Sequence, residues 1–365
     1  MKKTSSHKKN RVLVSLSGGV DSAVAAAILK KQGHDVVGAF FQFFDGAGAE
    51  KSLNNAKKIA KKLRILLKVV DAKKEFKKRI IDYFVSEYKN GRTPNLCVRC
   101  NKEMKFRLLF DLMRKEKADA VATGHYARIH ITHNMEHITQ KNMLRVMRCV
   151  LHEAKDRIKD QSYFLWCLTQ KDLAKIVFPI GEYKKSEVKK MARKLKLPVV
   201  KNESQDICFL EGKSVSEFLK RRLRWTVGGI RDIGGESLGK HKGLPFYTIG
   251  QRKGIKIGGT GPYWVIRKNV RKNELLVTRD PKKLLTKKFF ASEINWINEN
   301  IEFPAKVEVQ IRYRADKVSA IIGLSGKSGK LAIETEKPLR AVTPGQSAVF
   351  YKGGEVLGGG TIAEN

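Results

Sequence analysis

A glycine-rich segment near the N-terminus, Ser17-Gly18-Gly19-Val20-Asp21-Ser22, combines residue types that bind phosphate. Adjacent glycines let the backbone pass close to an anion and present its N–H groups, and serine hydroxyls donate hydrogen bonds to phosphate oxygens. The carboxylate of Asp21 suits a magnesium ion, because that ion prefers oxygen ligands. The segment does not end in Gly-Lys-Ser/Thr, so kinase-type handling of a γ-phosphate is not expected. Two glycines alone would fit a plain turn, whereas the whole hexapeptide predicts a phosphate-binding loop.

Three of the five cysteines lie in sequence contexts where a thiol could take part in a reaction. Cys97 and Cys100 come just before a predicted helix start at Asn101 and flank Arg99, and such surroundings lower the pKa of a thiol. Cys208 lies much further along the chain, between Ile207 and Phe209. In contrast, Cys149 and Cys167 have apolar neighbours and are predicted core residues.

Three interpretations of Cys97, Cys100 and Cys208 stay open. The first is a pair of sulfur-handling thiols, one nucleophilic and one resolving. The second is a metal or iron–sulfur site that uses all three. The third is coincidence, with Cys208 in the core. Zinc usually needs four ligands and no fourth Cys or His has a convincing spacing, whereas a cluster held by three cysteines stays open.

The elements around the loop predict a strand–helix–strand unit. Residues 11–16 form a short apolar run that leads into the loop, and residues 23–29 are helix formers that end before Gly33. A second apolar run covers 36–41. Further alternation predicts an α/β fold, a doubly wound parallel sheet up to about residue 205. The other predicted elements here are helices at 51–64, 74–89 and 102–115 and strands at 66–70 and 120–125.

The pattern changes after Cys208. Glycine-rich turns separate short apolar runs, and from about residue 285 the residues alternate as in an antiparallel sheet or small barrel. We therefore predict a catalytic domain at 1–208, a small central domain at 209–284 and a C-terminal β-barrel-like domain at 285–365. The predicted strands are 246–249, 263–266, 305–311, 318–322, 331–333 and 348–351.

The composition points to a polyanionic partner. The 365 residues carry a formal net charge of +38, with Lys and Arg spread along the chain. RNA or DNA explains this charge, and a lysine-rich compositional bias is the alternative. No apolar run approaches the roughly 18–20 residues of a membrane span, and the basic N-terminus lacks the apolar core of a signal peptide. We expect a cytoplasmic protein with no membrane partner.

Taken in order, the motifs identify a family. The loop resembles the pyrophosphate loop of the ATP-pyrophosphatase group, whose members transfer AMP to an oxygen and release pyrophosphate. The chain as a whole resembles the tRNA-specific 2-thiouridylases. The matching stretches are Ser17–Ser22, Gly91–Asn95, Cys100–Phe106, Ala122–Arg128, Lys159–Leu165, Ser204–Phe209, Phe246–Gly254, Arg312–Arg314 and Pro344–Tyr351.

The resemblance implies a role for individual residues. Cys100 matches the family's catalytic nucleophile and Cys208 the cysteine that carries a persulfide. No residue is assigned as a ligand of a resident metal. The residues that match ATP contacts are Ser15, Leu16, Ser17, Gly18, Gly19, Val20, Asp21, Ser22, Phe41 and Gly124. Those that match tRNA contacts are Asn95, Leu96, Cys97, His125, Lys159, Asp160, Gln161, Arg312, Tyr313 and Gln346.

Two positions depart from the family pattern. Leu96 stands where the family usually has proline, which would loosen the loop. Cys97 is aspartate in some members, and as cysteine it cannot serve as a carboxylate proton relay. Its role therefore stays open.

The resemblance also implies a reaction. The enzyme would use ATP and Mg²⁺ to adenylate the C2 oxygen of the wobble uridine of tRNA for Glu, Gln and Lys. A persulfide from a sulfur-donor protein would then give 2-thiouridine at position 34, AMP and pyrophosphate. Two alternatives are a ligase-like enzyme that adenylates a small molecule and a tRNA-binding protein with a degenerate loop.

Overall fold

The computed structural model describes residues 10–139, 142–198, 207–255, 257–258, 261–297, 301–325 and 329–364. The chain divides into two compact units. Unit 1 comprises Met1–Lys77, Cys97–Gln205 and Gly353–Leu357, and unit 2 comprises Lys78–Leu96, Asp206–Lys352 and Gly358–Asn365. Both units are therefore discontinuous in sequence.

The elements as far as residue 194 alternate between strand and helix over most of their length. In chain order they are β1 (Arg11–Ser15), α1 (Val20–Lys31), β2 (Asp35–Gln42), α2 (Ala47–Leu63), β3 (Leu66–Asp71), α3 (Lys73–Phe76), α4 (Asp82–Lys89), α5 (Leu96–Cys100), α6 (Arg107–Lys115), β4 (Ala120–Ala122), β5 (Arg128–Thr139), β6 (Asn142–His152), α7 (Gln170–Leu173), β7 (Ile176–Val177) and α8 (Lys185–Lys194).

Unit 1 is built on a parallel sheet. Its order within the described residues is β3-β2-β1-β4-β7, with Val12 opposite both Val36 and Ala120. Helices α1, α2 and α8 share one apolar core with β1 and β2, through residues such as Ala56 and Val188. Strand alternation turns Leu13 to the other face of the sheet, and α6 contacts β1 and β4. The prediction of a doubly wound α/β domain is confirmed.

The elements after residue 207 are mainly β. In chain order they are α9 (Val215–Lys220), β8 (Gly228–Asp232), β9 (Ser237–His241), β10 (Trp264–Asn269), β11 (Glu274–Thr278), β12 (Leu285–Trp296), β13 (Ala305–Gln310), β14 (Val318–Ser325), β15 (Lys330–Arg340), β16 (Ser347–Lys352) and β17 (Glu355–Ile362).

Unit 2 contains two β-structures. A small sheet of order β10-β11-β8-β9 packs around a core that includes Ile230, Val265 and Leu275. The strands β12 to β17 form an antiparallel barrel of order β12-β15-β14-β13-β16-β17, which closes because β12 also pairs with β17. The predicted central domain and C-terminal barrel are confirmed as fold classes.

Three local predictions need correction. The strand predicted at 246–249 is wrong, because Leu244–Phe246 is a 3-10 helix with a proline at its start and a turn follows. The helices predicted at 74–89 and 102–115 each contain a π-helical turn, at Lys77–Ile81 and Asn101–Phe106. The antiparallel hairpin β5–β6 was not predicted, since polar residues interrupt its apolar ones without a clear alternation.

In the part of the chain that the structure describes, every helix is too short or too polar to cross a bilayer.

Candidate active site

The predicted phosphate loop lies between the end of β1 and the start of α1, at the carboxyl edge of the parallel sheet. The backbone N–H of Ser17 donates to Oγ of Ser22 at 3.2 Å, and the two serine hydroxyls lie 3.2 Å apart. The Ser22 hydroxyl also donates to the carbonyl of Gly19 at 3.1 Å. These bonds hold the loop in one shape before any anion arrives.

Two glycines allow the backbone to approach this loop closely. Gly18 has φ +80°, and a Cβ on it would lie 2.4 Å from the carbonyl oxygen of Ser52. A Cβ on Gly124 would lie 2.6 Å from the backbone nitrogen of Ser22. The segment after β4 therefore presses directly against the loop. The structure thus brings together Gly124 and the loop, which lie far apart in sequence.

Asp21 is held by two side chains that the sequence did not single out. Nζ of Lys185 lies 2.7 Å from both carboxylate oxygens of Asp21. The hydroxyl of Tyr126 donates to Oδ1 of Asp21 at 3.0 Å. Lys185 stands at the first position of α8, beside Lys184 in a lysine-rich stretch. Nothing in that stretch marks one lysine over another, so only the fold reveals it.

Four predicted ATP contacts are residues that the structure buries or half-buries. Leu16, Val20 and Phe41 are buried, and Ser15 is half-buried at the end of β1. Because the side chains of Leu16 and Val20 belong to the core, only their backbone is available to a nucleotide. Phe41 stacks on Phe43 with 6.2 Å between ring centroids, which places aromatic faces at the end of β2.

His125 follows Gly124 and is a neutral aromatic side chain. Its Nδ1 lies 2.7 Å from Oγ1 of Thr123, and its ring stacks on Phe106 and meets the edge of Phe178. Loss of hydration, with a smaller effect of Lys105, lowers the pKa of His125 to about 3. A contact of His125 with RNA would therefore use stacking or a neutral hydrogen bond rather than charge.

The predicted tRNA contacts at 159–161 are partly structural. Asp160 accepts hydrogen bonds from the backbone of Ala154 at 2.7 Å and from the hydroxyl of Ser162 at 2.6 Å, while burial raises its pKa. Gln161 accepts from the N–H of Tyr126 through Oε1 at 3.0 Å, and its own N–H donates to the Tyr126 carbonyl at 2.8 Å. Lys159 is half-buried at the start of this segment.

The cysteines of the CxxC segment differ in exposure. α5 begins at Leu96 and runs on through a π-helical turn into α6, so Cys97 lies in its first turn and Cys100 at its last residue. Cys97 is exposed and Cys100 is buried. Although the residue is exposed, the protein atoms that surround its sulfur displace water and raise the pKa of Cys97, against an opposing effect of Lys105, so the lowered pKa predicted for this thiol is wrong. A neighbouring lysine does not compensate for poor hydration here.

Cys208 is an exposed residue on an anchored turn. It begins the 3-10 helix Cys208–Leu210, and the next residue, Phe209, packs against Phe84 and Phe218 with centroid distances of 5.6 and 5.1 Å. The interpretation of Cys208 as a core residue is therefore wrong. Cys149 and Cys167 are buried as predicted, and burial raises the pKa of Cys167 to about 12.

Two predicted tRNA segments meet in unit 2. The backbone N–H of Asn95 donates to the carbonyl of Gly345 at 3.0 Å, and Nδ2 of Asn95 lies 3.1 Å from Oγ of Ser347. Nε2 of Gln346 donates to the carbonyl of Thr93 at 2.7 Å. We call this pairing of residues 93–95 with 344–347 the clasp.

Arg312 extends from the barrel to the chain just before the clasp. Its guanidinium donates to the carbonyl of Ala341 and lies 3.5 Å from Oγ1 of Thr343. Tyr313 is half-buried, and the guanidinium of Arg314 lies 5.0 Å from its ring centroid. Arginine and tyrosine together suit an RNA backbone and a base face.

No three His, Cys, Asp or Glu side chains among the described residues are arranged to hold a metal ion. Magnesium often binds through one carboxylate together with substrate phosphates, and Asp21 supplies that carboxylate. The residues therefore fit a metal that arrives with a nucleotide.

Comparison with known proteins covers almost the whole chain. A tRNA-specific 2-thiouridylase of Geobacillus kaustophilus is 40% identical over 372 residues, which include 98% of this chain and 96% of the relative. One of Carboxydothermus hydrogenoformans is 38% identical over 370 residues, with 97% and 98% covered. The chain belongs to the tRNA-specific 2-thiouridylase family.

Three family models match successive parts of this 2-thiouridylase chain. They are described as a tRNA methyl transferase HUP domain at residues 10–212, a tRNA methyl transferase PRC-barrel domain at 216–279 and an aminomethyltransferase β-barrel domain at 286–362. The nucleotide-binding HUP class agrees with the parallel sheet and loop of unit 1.

Among solved structures, the U34-tRNA thiolase NcsA of Methanococcus maripaludis with its [4Fe-4S] cluster matches at 19% identity and TM-score 0.36, covering 59% of this chain and 65% of that chain. The NMN synthetase of Francisella tularensis matches at 15% and 0.33, with 58% and 72% covered. These TM-scores are too low to support an inference about this protein.

Proposed function

We propose that this protein is a tRNA 2-thiouridylase that uses ATP and a cysteine persulfide to convert the wobble uridine to 2-thiouridine. Its membership of the 2-thiouridylase family over nearly the full chain carries this proposal. The preformed phosphate loop and the contrast between buried Cys100 and exposed Cys208 support it. The substrates would be the tRNAs for Glu, Gln and Lys.

The first half-reaction is adenylation. A uracil C2 carbonyl is a poor electrophile, and its oxygen is a poor leaving group. The O2 oxygen attacks the α-phosphorus of ATP, the bond to the bridging oxygen breaks, pyrophosphate leaves with the electron pair, and the N3 proton passes to solvent. The N–H groups of Gly18 and Gly19 and the hydroxyls of Ser17 and Ser22 bind and orient the phosphates.

Magnesium would reach this site with the nucleotide. Asp21 is the residue that would hold it, together with phosphate oxygens. When bound, the ion would neutralise charge on the phosphates.

The second half-reaction is sulfur transfer. Cys208 is exposed, so a donor protein's persulfide can pass its outer sulfur to it and leave Cys208 as a persulfide. In one route the terminal sulfur adds to C2, AMP leaves with the C2–O electron pair, and the Cys100 thiolate attacks the Cys208 sulfur to break the S–S bond. In the other, Cys100 attacks the Cys208 sulfur first and releases hydrosulfide, which adds to C2, and AMP leaves with the C2–O electron pair. Both routes end in 2-thiouridine and a Cys100–Cys208 disulfide, which a thiol reductant must reopen.

RNA recognition rests on several parts of the chain. The wobble base has to leave its stack to reach a protein pocket. Asn95, Leu96 and Cys97 are proposed to approach the base, and His125 and Lys159 of unit 1 are proposed to contact the RNA. Gln346, Arg312 and Tyr313 are proposed to bind the RNA from the clasp and the barrel.

Pyrophosphate release tests the enzyme against its alternatives. We expect release from ATP to depend on unmodified tRNA for Glu, Gln or Lys and to be absent with a fully 2-thiolated tRNA. A ligase acting on a small molecule would release pyrophosphate without RNA, and a binding protein with a degenerate loop would release none. Either result would contradict the proposal.

A further inference from the structure

Lys185 is a buried cation whose charge faces the phosphate loop. Its side chain is 9% exposed, against 31% for its partner Asp21. The two side chains meet with Nζ at 2.7 Å from each carboxylate oxygen. Removing an ammonium from water is costly unless it is paired, so this charge is held at a specific place.

The start of α1 is an unusual place for a lysine ammonium. Asp21 lies in the first turn of α1, where the helix dipole favours a negative charge and disfavours a positive one. A structural ion pair between two helices could form anywhere along them. This one instead brings an ammonium to the end of a helix that already presents N–H groups to an anion.

The surroundings of Lys185 anchor its backbone at the start of α8. Its backbone N–H donates to Oδ2 of Asp156 at 2.8 Å, which anchors the start of α8. Its Nζ lies 5.6 Å from the ring centroid of Tyr126, whose hydroxyl shares the Asp21 carboxylate. The four-carbon stem of lysine lets the ammonium turn from that carboxylate to an adjacent phosphate while the backbone stays fixed.

We propose that Lys185 is a further catalytic residue of the adenylation step, which rests on the proposed function. Before nucleotide binds, Asp21 and Tyr126 hold its ammonium beside the loop. As O2 attacks and the bond to pyrophosphate breaks, the ammonium binds non-bridging oxygens of the α-phosphate and stabilises the charge that develops there. Lys185 gives up no proton, so the atoms of the step balance as described above. Tyr126 is a positioning residue, because it acts on Asp21 and Lys185.

The test separates transition-state stabilisation from nucleotide binding and from folding. Lys185→Met removes the charge and keeps the length. The neighbouring Lys184→Met removes the same charge from an exposed side chain and is the matched control. For each variant we would measure kcat for tRNA-dependent pyrophosphate release, the Kd of α,β-methylene-ATP by calorimetry and the thermal midpoint.

We expect Lys185→Met to lower kcat by about 100- to 1,000-fold, as loss of one preorganised donor does, with the analogue's Kd within about tenfold of wild type. Lys185→Arg should recover part of kcat, and Lys184→Met should stay within about twofold on every measure. If Lys185→Met does not fold, Lys185→Gln, which keeps a donor for Asp21, is expected to show the same loss of kcat.

A kcat within tenfold of wild type in a folded variant would overturn the assignment, as would a loss explained wholly by weaker analogue binding. If the wild type is active, either result excludes only the catalytic role of Lys185 and leaves the proposed function intact. A wild type that releases no pyrophosphate with any tRNA would instead overturn the proposed function.

Discussion

The phosphate loop and the Cys208 turn are built in opposite ways. Around the loop, polar groups are paired with one another: Ser17 with Ser22, and Asp21 with Lys185 and Tyr126. At the Cys208 turn the cysteine is exposed, and the anchor is the apolar packing of Phe209. Preorganised polar groups suit electrostatic stabilisation, whereas exposed sulfur suits transfer from another protein. The comparison predicts that damage to the two regions has separable effects.

The largest expected effect comes from replacing either of the two proposed catalytic cysteines. Cys100→Ser and Cys208→Ser should each lower 2-thiouridine formation at least about a thousandfold, because an essential nucleophile is lost. Both should keep tRNA-dependent pyrophosphate release within a few-fold, since the loop is untouched. Cys149→Ala, a core cysteine, serves as the control for both assays. Loss of pyrophosphate release in the serine variants would break the proposed separation.

The next effect concerns the close approach at Gly124. Gly124→Ala places a methyl group 2.6 Å from the Ser22 nitrogen, so the loop must shift. A strain of about 1–3 kcal/mol should weaken α,β-methylene-ATP binding by about 5- to 150-fold. Gly323→Ala is the control, because Gly323 lies outside the loop and its added Cβ would meet no atom within 4 Å. Equal analogue affinities for these two variants would argue against a loop shaped by Gly124.

A smaller effect is expected from the clasp. Gln346→Ala removes the 2.7 Å hydrogen bond to the Thr93 carbonyl. At about 1 kcal/mol for such a bond, KM for tRNA should rise about fivefold while analogue binding stays unchanged. The exposed Gln32→Ala in unit 1 is the control. A change in analogue binding without one in KM for tRNA would contradict the assignment of the clasp to RNA.

A final effect, on stability rather than on activity, is the pH dependence contributed by His125. Its folded pKa of about 3 lies below the ordinary histidine value of 6.5, so between these values the unfolded chain binds more protons than the folded one. The contribution of His125 to stability is therefore complete above pH 6.5 and falls as the pH drops toward 3, by up to about 1.4 kcal/mol per pH unit.

Urea unfolding at pH 7 and pH 5 measures this contribution. Wild type should lose more unfolding free energy between the two values than His125→Asn does, and kcat should not follow a His125 ionisation above pH 5. Equal losses for both proteins would show that His125 is not held neutral by the fold.

Much of the fold was predictable because its signals are local. The apolar runs at 11–16 and 36–41 and the intervening helix predict a parallel strand–helix–strand unit, which is present. The hairpin β5–β6 was missed because polar residues interrupt its apolar ones without a clear alternation. The prediction of a strand at 246–249 was wrong, because an apolar run alone does not distinguish a strand from a short turn beside proline.

The candidate site was predictable only where a motif is contiguous. The loop at 17–22 can be recognised from its own residues. Lys185 and Tyr126 could not be found, because their distance from Asp21 exists only after the chain folds. The prediction of a lowered pKa for Cys97 was wrong for a related reason. Adjacent cations are visible in the sequence, but loss of hydration is not.

The central claim is that the ATP loop and the two cysteines put sulfur on a tRNA base. Its most direct test is mass spectrometry of nucleosides from unmodified tRNA incubated with the wild-type protein, ATP, Mg²⁺, a persulfide donor and a thiol reductant. We predict 2-thiouridine at position 34, with one pyrophosphate released per base modified and none formed without ATP. Pyrophosphate release with no 2-thiouridine, or 2-thiouridine formed equally well by Cys100→Ser, would contradict the account.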